Sequence, residues 1–142
     1  MNETVYLILK FKNDFISLPL QSEYATLANK FLEFSQFQNT IMAVDGTHIK
    51  ITLPKSNSAR FIDRKKQPSL AFLVCCDSFF RIRYVFGGTF GSTHDSFLFQ
   101  ASTLENWCEE NLIGTNYHIL GDSAFPERIY LKKPFKGELT ES

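Results

Sequence analysis

The sequence predicts an α/β domain with a central mixed β-sheet flanked by helices. Three observations carry this. A stretch with helical spacing comes first, three stretches with strand character follow, and a second helical stretch then precedes a fourth, short strand. A chain of 142 residues suits one compact core. With 44% hydrophobic and 21% charged residues, it has the balance of a folded protein and not of a disordered one.

The first fifteen residues mix apolar and charged positions and show no clear period. Over residues 19–34, Tyr24, Leu27, Phe31 and Phe34 recur at intervals of three and four, making one apolar helix face, with Ser22 placed to act as its N-cap. Residues 41–53 read as a strand in which Ile41, Ala43, Asp45, Thr47, Ile49 and Ile51 share one face. An aspartate on that face is the first anomaly, because an unpaired carboxylate is expensive to bury. A turn is expected over 54–58. Residues 70–76 form a nearly unbroken apolar run, as a central strand does. After a turn at Asp77-Ser78, residues 80–86 alternate Phe80, Ile82, Tyr84 and Phe86 with Arg81 and Arg83. This predicts a paired strand whose arginine face is the wetter one and which Gly87, Gly88 and Gly91 bring to an end. Phe97, Leu98, Ala101, Leu104, Trp107 and Cys108 have helical spacing. A capping box of Ser102 with Glu105 divides this region into two short helices, and Gly114 ends it. Residues 117–120 form a short strand that delivers Gly121-Asp122-Ser123, and Pro126 opens the next segment. Three strands, a helical crossover and a fourth strand fit the ribonuclease H-like arrangement.

Composition narrows the function classes. Lys+Arg and Asp+Glu are equal at 15 each, whereas a free-standing nucleic-acid binder carries a basic excess. Any action on DNA would therefore draw much of its phosphate affinity from a partner or another segment. The local basic clusters are Arg60, Arg64, Lys65, Lys66 and Lys132, Lys133, Lys136, each also readable as a solvated face. Fifteen Phe and five Tyr read as an aromatic core. Cys75, Cys76 and Cys108 lack the spacing of a zinc site and read as buried thiols of a reducing compartment. No apolar run is long enough to span a membrane: residues 5–9 are too short and end at Lys10, and without a basic n-region they do not read as a signal peptide.

Three aspartates sit where strands end or helices begin: Asp45 before Gly46-Thr47-His48, Asp95 after His94, and Asp122 after Gly121. Singly, Asp95 could be a helix N-cap and Asp122 a turn former. Brought together, carboxylates repel one another unless a cation neutralises them. Oxygen ligands of this kind select Mg2+ or Mn2+, and two such ions roughly 4 Å apart can hold the attacking and leaving oxygens of a phosphodiester.

Residues 42–51, MAVDGTHIKI, resemble the opening motif of the Harbinger transposase-derived nucleases, the DDE superfamily endonucleases of Tnp4 type. GSTHDSFL at 91–98 is similar to the second motif and ILGDSAFP at 119–126 to the third. Arg64-Lys65, Ser69-Leu70 and Cys76-Asp77 are similar to the segment between the first two. The resemblance runs from about Phe15 to about Phe135. It implies a ribonuclease H-like fold, cleavage of DNA at phosphodiester bonds, and Asp45, Asp95 and Asp122 as catalytic ligands of Mg2+ or Mn2+. It also implies work in the nucleus beside a Myb-like DNA-binding partner. The expected organisation is a helical segment over 1–40 leading into a nuclease domain over 41–142. That domain is expected to be incomplete, because the family's last acidic ligand is a glutamate on a helix beyond Ser142. Glu127, Glu138 and Glu141 do not match that motif. The chain departs from the family at Asp63, where Asn is usual, at Lys66, where Gly is usual, and at Phe90, where Pro is usual.

Of the histidines, His48 falls on the opposite strand face from Asp45 and His118 beside a strand, both as structural residues. His94 is placed to contact a phosphate or orient Asp95. Two rivals stand beside the nuclease. A haloacid-dehalogenase-like phosphatase needs a nucleophilic aspartate where this chain has Ala43. A domesticated or decayed binding module would keep the scaffold without catalysis, and the three retained aspartates weigh against it.

Overall fold

The computed structural model describes residues 1–53, 55, 56 and 58–133. Part of the turn expected over 54–58, together with Lys136, Glu138 and Glu141, lies outside the described residues. The elements run α1 (Glu3–Phe15), α2 (Tyr24–Leu32), β1 (Thr40–Lys50), β2 (Ser69–Asp77), β3 (Ile82–Phe90), α3 (Asp95–Ala101), α4 (Thr103–Leu112), β4 (His118–Leu120) and β5 (Leu131–Lys132). The strands form one mixed sheet in the order β3-β2-β1-β4-β5, flanked by helices, and the fold is ribonuclease H-like. β1 is the central strand. It pairs antiparallel with β2 and, across the α3–α4 connection, parallel with β4.

The core explains this arrangement. Ile41, Met42 and Val44 of β1 and Ala71, Leu73 and Cys75 of β2 are buried in one cluster with Leu27 and Ala28 of α2, Leu98 and Phe99 of α3, and Leu104, Cys108 and Leu112 of α4. Cys75, Cys76 and Cys108 are free thiols, and burial pushes Cys108 up to about 12 and Cys75 well above its ordinary value. The second half of β1 runs past the end of β4 and keeps only β2 as a neighbour, so Ile49 is exposed and β1 stops at Lys50, short of the expected Leu53.

Several sequence expectations change. Residues 3–15 form a helix, which Asn2 caps by accepting a hydrogen bond from the Thr4 N–H at 2.8 Å. Its apolar residues Val5 to Leu9 lie all round the helix and none is buried, which is why no period is visible. Ser22 is not the N-cap of α2. Glu23 occupies that place, and its carboxylate accepts from the Leu20 N–H at 2.7 Å. Phe34 lies beyond the end of α2 and is exposed, stacked on Phe80. Ser102 does cap α4, accepting from the Leu104 N–H, but Glu105 turns away to Arg128 and does not complete a capping box. Phe97 and Ala101 face solvent, and Phe99, outside the expected stripe, is buried instead. Phe80 belongs to the β2–β3 turn and has φ 60°. Gly87 and Gly88 do not end β3. They sit within it, both at positive φ, where the pairing with β2 slips between Ala71 and Phe72, so the glycines absorb a bulge.

The expected wet and dry faces of β3 are also reversed at Arg83. Ile82 is exposed, whereas Arg83 is only 7% exposed. Its guanidinium donates to the Ser17 carbonyl at 2.6 Å, to Asp77 Oδ2 at 3.1 Å and to Glu23 Oε2 at 3.1 Å. Asp77, whose side chain is inaccessible, also accepts from Arg81 Nε at 2.8 Å. A buried charge survives when every donor finds a partner, and here the pairs tie the α2 entry to the sheet. The bond to Arg83 holds the Glu23 carboxyl below its ordinary range, so its contribution to stability is present above that range and is lost as pH falls through the lowered value. Arg83→Met is expected to lower unfolding free energy by about 3 kcal/mol, because it strips partners from a buried carboxylate. Urea denaturation at neutral pH measures this, and a loss below about 1 kcal/mol would show the network to be dispensable.

Candidate metal centre

The register of β1 and β4 positions two of the three aspartates. Ala43 pairs with Leu120 in the parallel ladder. Asp45 and Asp122 each lie two residues further along, so the period of the strands sends both the same way beyond the paired ends. β1 continues at Asp45, opposite Val74 of β2, while the chain after β4 turns away. Ile41, Met42 and Val44 of β1 and Ile119 of β4 are buried, which anchors both strands in the core just before the aspartates.

Asp95 comes from another direction, as the first residue of α3, with His94 at the N-cap. Gly46 makes room for it. A Cβ placed on Gly46 would collide with the Asp95 carboxylate, so only glycine lets that carboxylate lie against β1. One carboxylate oxygen each from Asp45, Asp95 and Asp122 then lie within 4.8 Å of one another. Thus the structure brings together all three aspartates that the sequence singled out. Asp45 and Asp122 are exposed and Asp95 is half-buried.

The electrostatics of the cluster are unbalanced. Asp45 Oδ1 accepts from the Gly46 N–H and Asp122 Oδ1 from the Ala124 N–H, both at 2.9 Å. Among the described residues no lysine or arginine forms an ion pair with any of the three. Burial, then Asp122 and Asp45, push the Asp95 carboxyl above its ordinary range, and His48 and Arg64 only partly oppose them. Three oxygen donors converging without an internal counter-ion are the donor set that a hard divalent cation fits.

The histidines have separate roles. His48 Nε2–H donates to the Gly91 carbonyl at 3.0 Å and ties the end of β1 to the loop after β3. His94 Nδ1 accepts from Arg64 Nη2 at 2.8 Å. His118 Nε2 bonds Thr40 Oγ1 at 2.8 Å, and burial holds the ring below its ordinary value. Sequence reasoning missed Gly46 as a space-maker, although the Asp-Gly pair within a strand was its signal.

Two outcomes are expected. Gly46→Ala swings the Asp95 side chain away, because the atom it meets is the end of a side chain and not backbone. Affinity for Mn2+ in a calorimetric titration should fall at least about tenfold while the thermal midpoint barely moves. An unaltered titration would show that the close approach of Asp95 is dispensable. In the metal-free chain, the raised Asp95 value means that the folded state holds a proton the unfolded state has released. Its contribution to stability is full below the ordinary aspartate range and is lost as pH rises through the raised value. Asp95→Asn should remove that part of the decline, as urea midpoints measured in chelator across that window would show.

The comparisons with known proteins agree with the geometry. The family described as DDE superfamily endonuclease matches residues 44–142, a span that contains all three aspartates. The chain is 28% identical over 123 residues to proteins named "Putative nuclease HARBI1" from Rattus norvegicus and Bos taurus, and 27% identical to that from Homo sapiens. These alignments cover 86% of this chain and 35% of the relatives, so the chain spans about a third of their length. No solved structure matches it. From the match over residues 44–142 and the nuclease relatives, the chain belongs to the DDE superfamily endonuclease family.

Proposed function

We propose that this chain carries the three-aspartate part of a divalent-metal-dependent DNA nuclease that hydrolyses phosphodiester bonds. The observation behind this reading is the convergence of Asp45, Asp95 and Asp122 within 4.8 Å, with no lysine or arginine among the described residues in an ion pair with them. Asp45, Asp95 and Asp122 would hold Mg2+ or Mn2+, which when bound supplies Lewis-acid stabilisation of the charge developing on phosphate oxygens. The chain's own work is positional. β1 and the end of β4 hold Asp45 and Asp122 at fixed separation, and α3 delivers the third carboxylate over Gly46. Burial, then Asp122 and Asp45, raise the Asp95 carboxyl above its ordinary range, so a cation bound there would favour its ionised form.

DNA as substrate, a nuclear site of action and a basic DNA-binding partner such as a Myb-like protein belong to the same reading. The equal numbers of acidic and basic residues support a need for such a partner. No helix among the described residues is long and apolar enough to cross a membrane.

The test is calorimetric titration of the wild type, Asp45→Asn and Asp122→Asn with Mn2+, followed by cleavage of plasmid DNA by a chain extended to the length of the relatives. Each variant should bind Mn2+ at least about tenfold more weakly and lose manganese-stimulated cleavage, with its fold retained. Cutting at the wild-type rate by either variant would remove that aspartate from the mechanism.

A further inference from the structure

A groove of about 560 Å³ opens directly beside the three carboxylates and has Asp95 at its edge. Its wall is formed by His48 and Lys50 at the end of β1, by Arg64 and Lys65 from the loop between β1 and β2, and by His94. The loop is held from within. Asp63 Oδ1 accepts from the backbone N–H groups of Lys65 at 2.9 Å and Gln67 at 3.0 Å, and Asp63 Oδ2 accepts from Ser69 Oγ at 3.0 Å. These bonds, that from Gln67 first, keep the Asp63 carboxyl below its ordinary range; its oxygens are occupied by the loop's own donors, while its negative charge remains beside the groove. Lys66 turns the chain back with φ 60°, the left-handed conformation that glycine adopts most cheaply. Arg64 and Lys65 are thereby left exposed, facing the groove.

Arg64 is also anchored at its far end. A guanidinium can only donate, so the 2.8 Å bond from Arg64 Nη2 makes His94 Nδ1 the acceptor and places the imidazole proton on Nε2. The remaining Arg64 N–H groups stay available. The groove thus offers two ammonium groups, a fixed guanidinium and an imidazole N–H. Its Asp63 is already committed, and its one open carboxylate belongs to the neighbouring cluster. A wall of cationic donors running up to a cation-binding carboxylate cluster is complementary to a chain of phosphodiesters.

We infer that this groove binds the DNA backbone next to the cleaved position. Lys50, Arg64 and Lys65 hold the phosphates adjoining the one that meets the carboxylates, and His94 orients Arg64. The inference rests on the nuclease reading of Asp45, Asp95 and Asp122, and it names the path of the strand through that site. Lys50, Arg64 and Lys65 set affinity and register along the backbone and read no base sequence.

The experiment measures binding of a duplex oligonucleotide to the intact chain by fluorescence anisotropy, in chelator, across a series of salt concentrations. The Arg64→Gln/Lys65→Gln variant should bind more weakly at low salt. Its plot of log affinity against log salt should be shallower than wild type by about 0.9 for each phosphate that the variant no longer neutralises. Lys30→Gln, on α2 near the β2–β3 turn at the opposite end of the sheet, should leave the slope unchanged. Both groove side chains are exposed, so circular dichroism should show an intact fold, and calorimetry should show Mn2+ bound no more weakly than by wild type. An unchanged slope in the double variant, or no binding of DNA by the wild type at low salt, overturns the groove. A wild type that shows the expected slopes but binds no Mn2+ overturns the nuclease reading and leaves the phosphate groove standing.

Discussion

Three like charges held within 4.8 Å are the constraint around which this domain is organised. Ionised carboxylates at that distance would separate if their backbones were free to move. They do not, because each is attached to something that cannot shift without exposing the core. Asp45 follows the buried run Ile41, Met42 and Val44, and Asp122 lies two residues past Leu120, whose neighbour Ile119 is buried. Asp95 opens a helix anchored by Leu98 and Phe99. Hydrophobic burial in the middle of the sheet therefore holds the carboxylates together, and burial first, then Asp122 and Asp45, raise the Asp95 carboxyl above its ordinary range.

The two ends of the sheet treat charge in opposite ways. At the β2–β3 turn, Asp77 is fully enclosed and meets Arg81 and Arg83, while Glu23 completes the set. Opposite charges there are paired and mostly withdrawn from water, and their effect is to bind the α2 entry to the sheet. At the other end, beyond the last β1–β4 pair, acids stand beside acids with water on one side. A fold under selection for stability alone has reason to build the first kind of site and none to build the second. The imbalance is what the proposed divalent cation would relieve.

The legible parts of the sequence were those in which local pattern and tertiary environment agree. β2 alternates between buried and partly buried positions along its whole length, and the crossover divides at Ser102 because a hydroxyl there satisfies a helix terminus. The three aspartates stood out because each sits where an apolar pattern ends or is broken. The illegible parts depend on partners distant in the chain. Arg83 reads as a wet-face residue until Glu23 and Ser17, some sixty positions away, supply its acceptors. Gly87 and Gly88 read as a strand end because a bulge is a property of two strands and not of one. The helix over 3–15 is hidden because its apolar residues surround the axis. Gly46 reads only as one more position of the strand over 41–53. Its real function, to leave space for a side chain from α3, exists only once the topology has brought that helix across the sheet.

Net charge illustrates the same limit. The totals cancel, and a sum of zero argues against a nucleic-acid binder. A sum contains no positions. Asp77 and Glu23 are paired with Arg83 at one end of the sheet and Glu105 with Arg128 on the flank, while the oxygens of Asp63 are turned to its own loop. The groove beside the cluster is lined by Lys50, Arg64 and Lys65 together with the acids Asp63 and Asp95. The field that an approaching polyanion meets there is set by nearby charges, since distant ones are screened over about 10 Å at ordinary salt. A chain of zero net charge can therefore carry a local cationic excess, Lys50, Arg64 and Lys65 against Asp63, that leads to the carboxylate cluster. That order of charges is the one the proposed phosphate path and cation site would use.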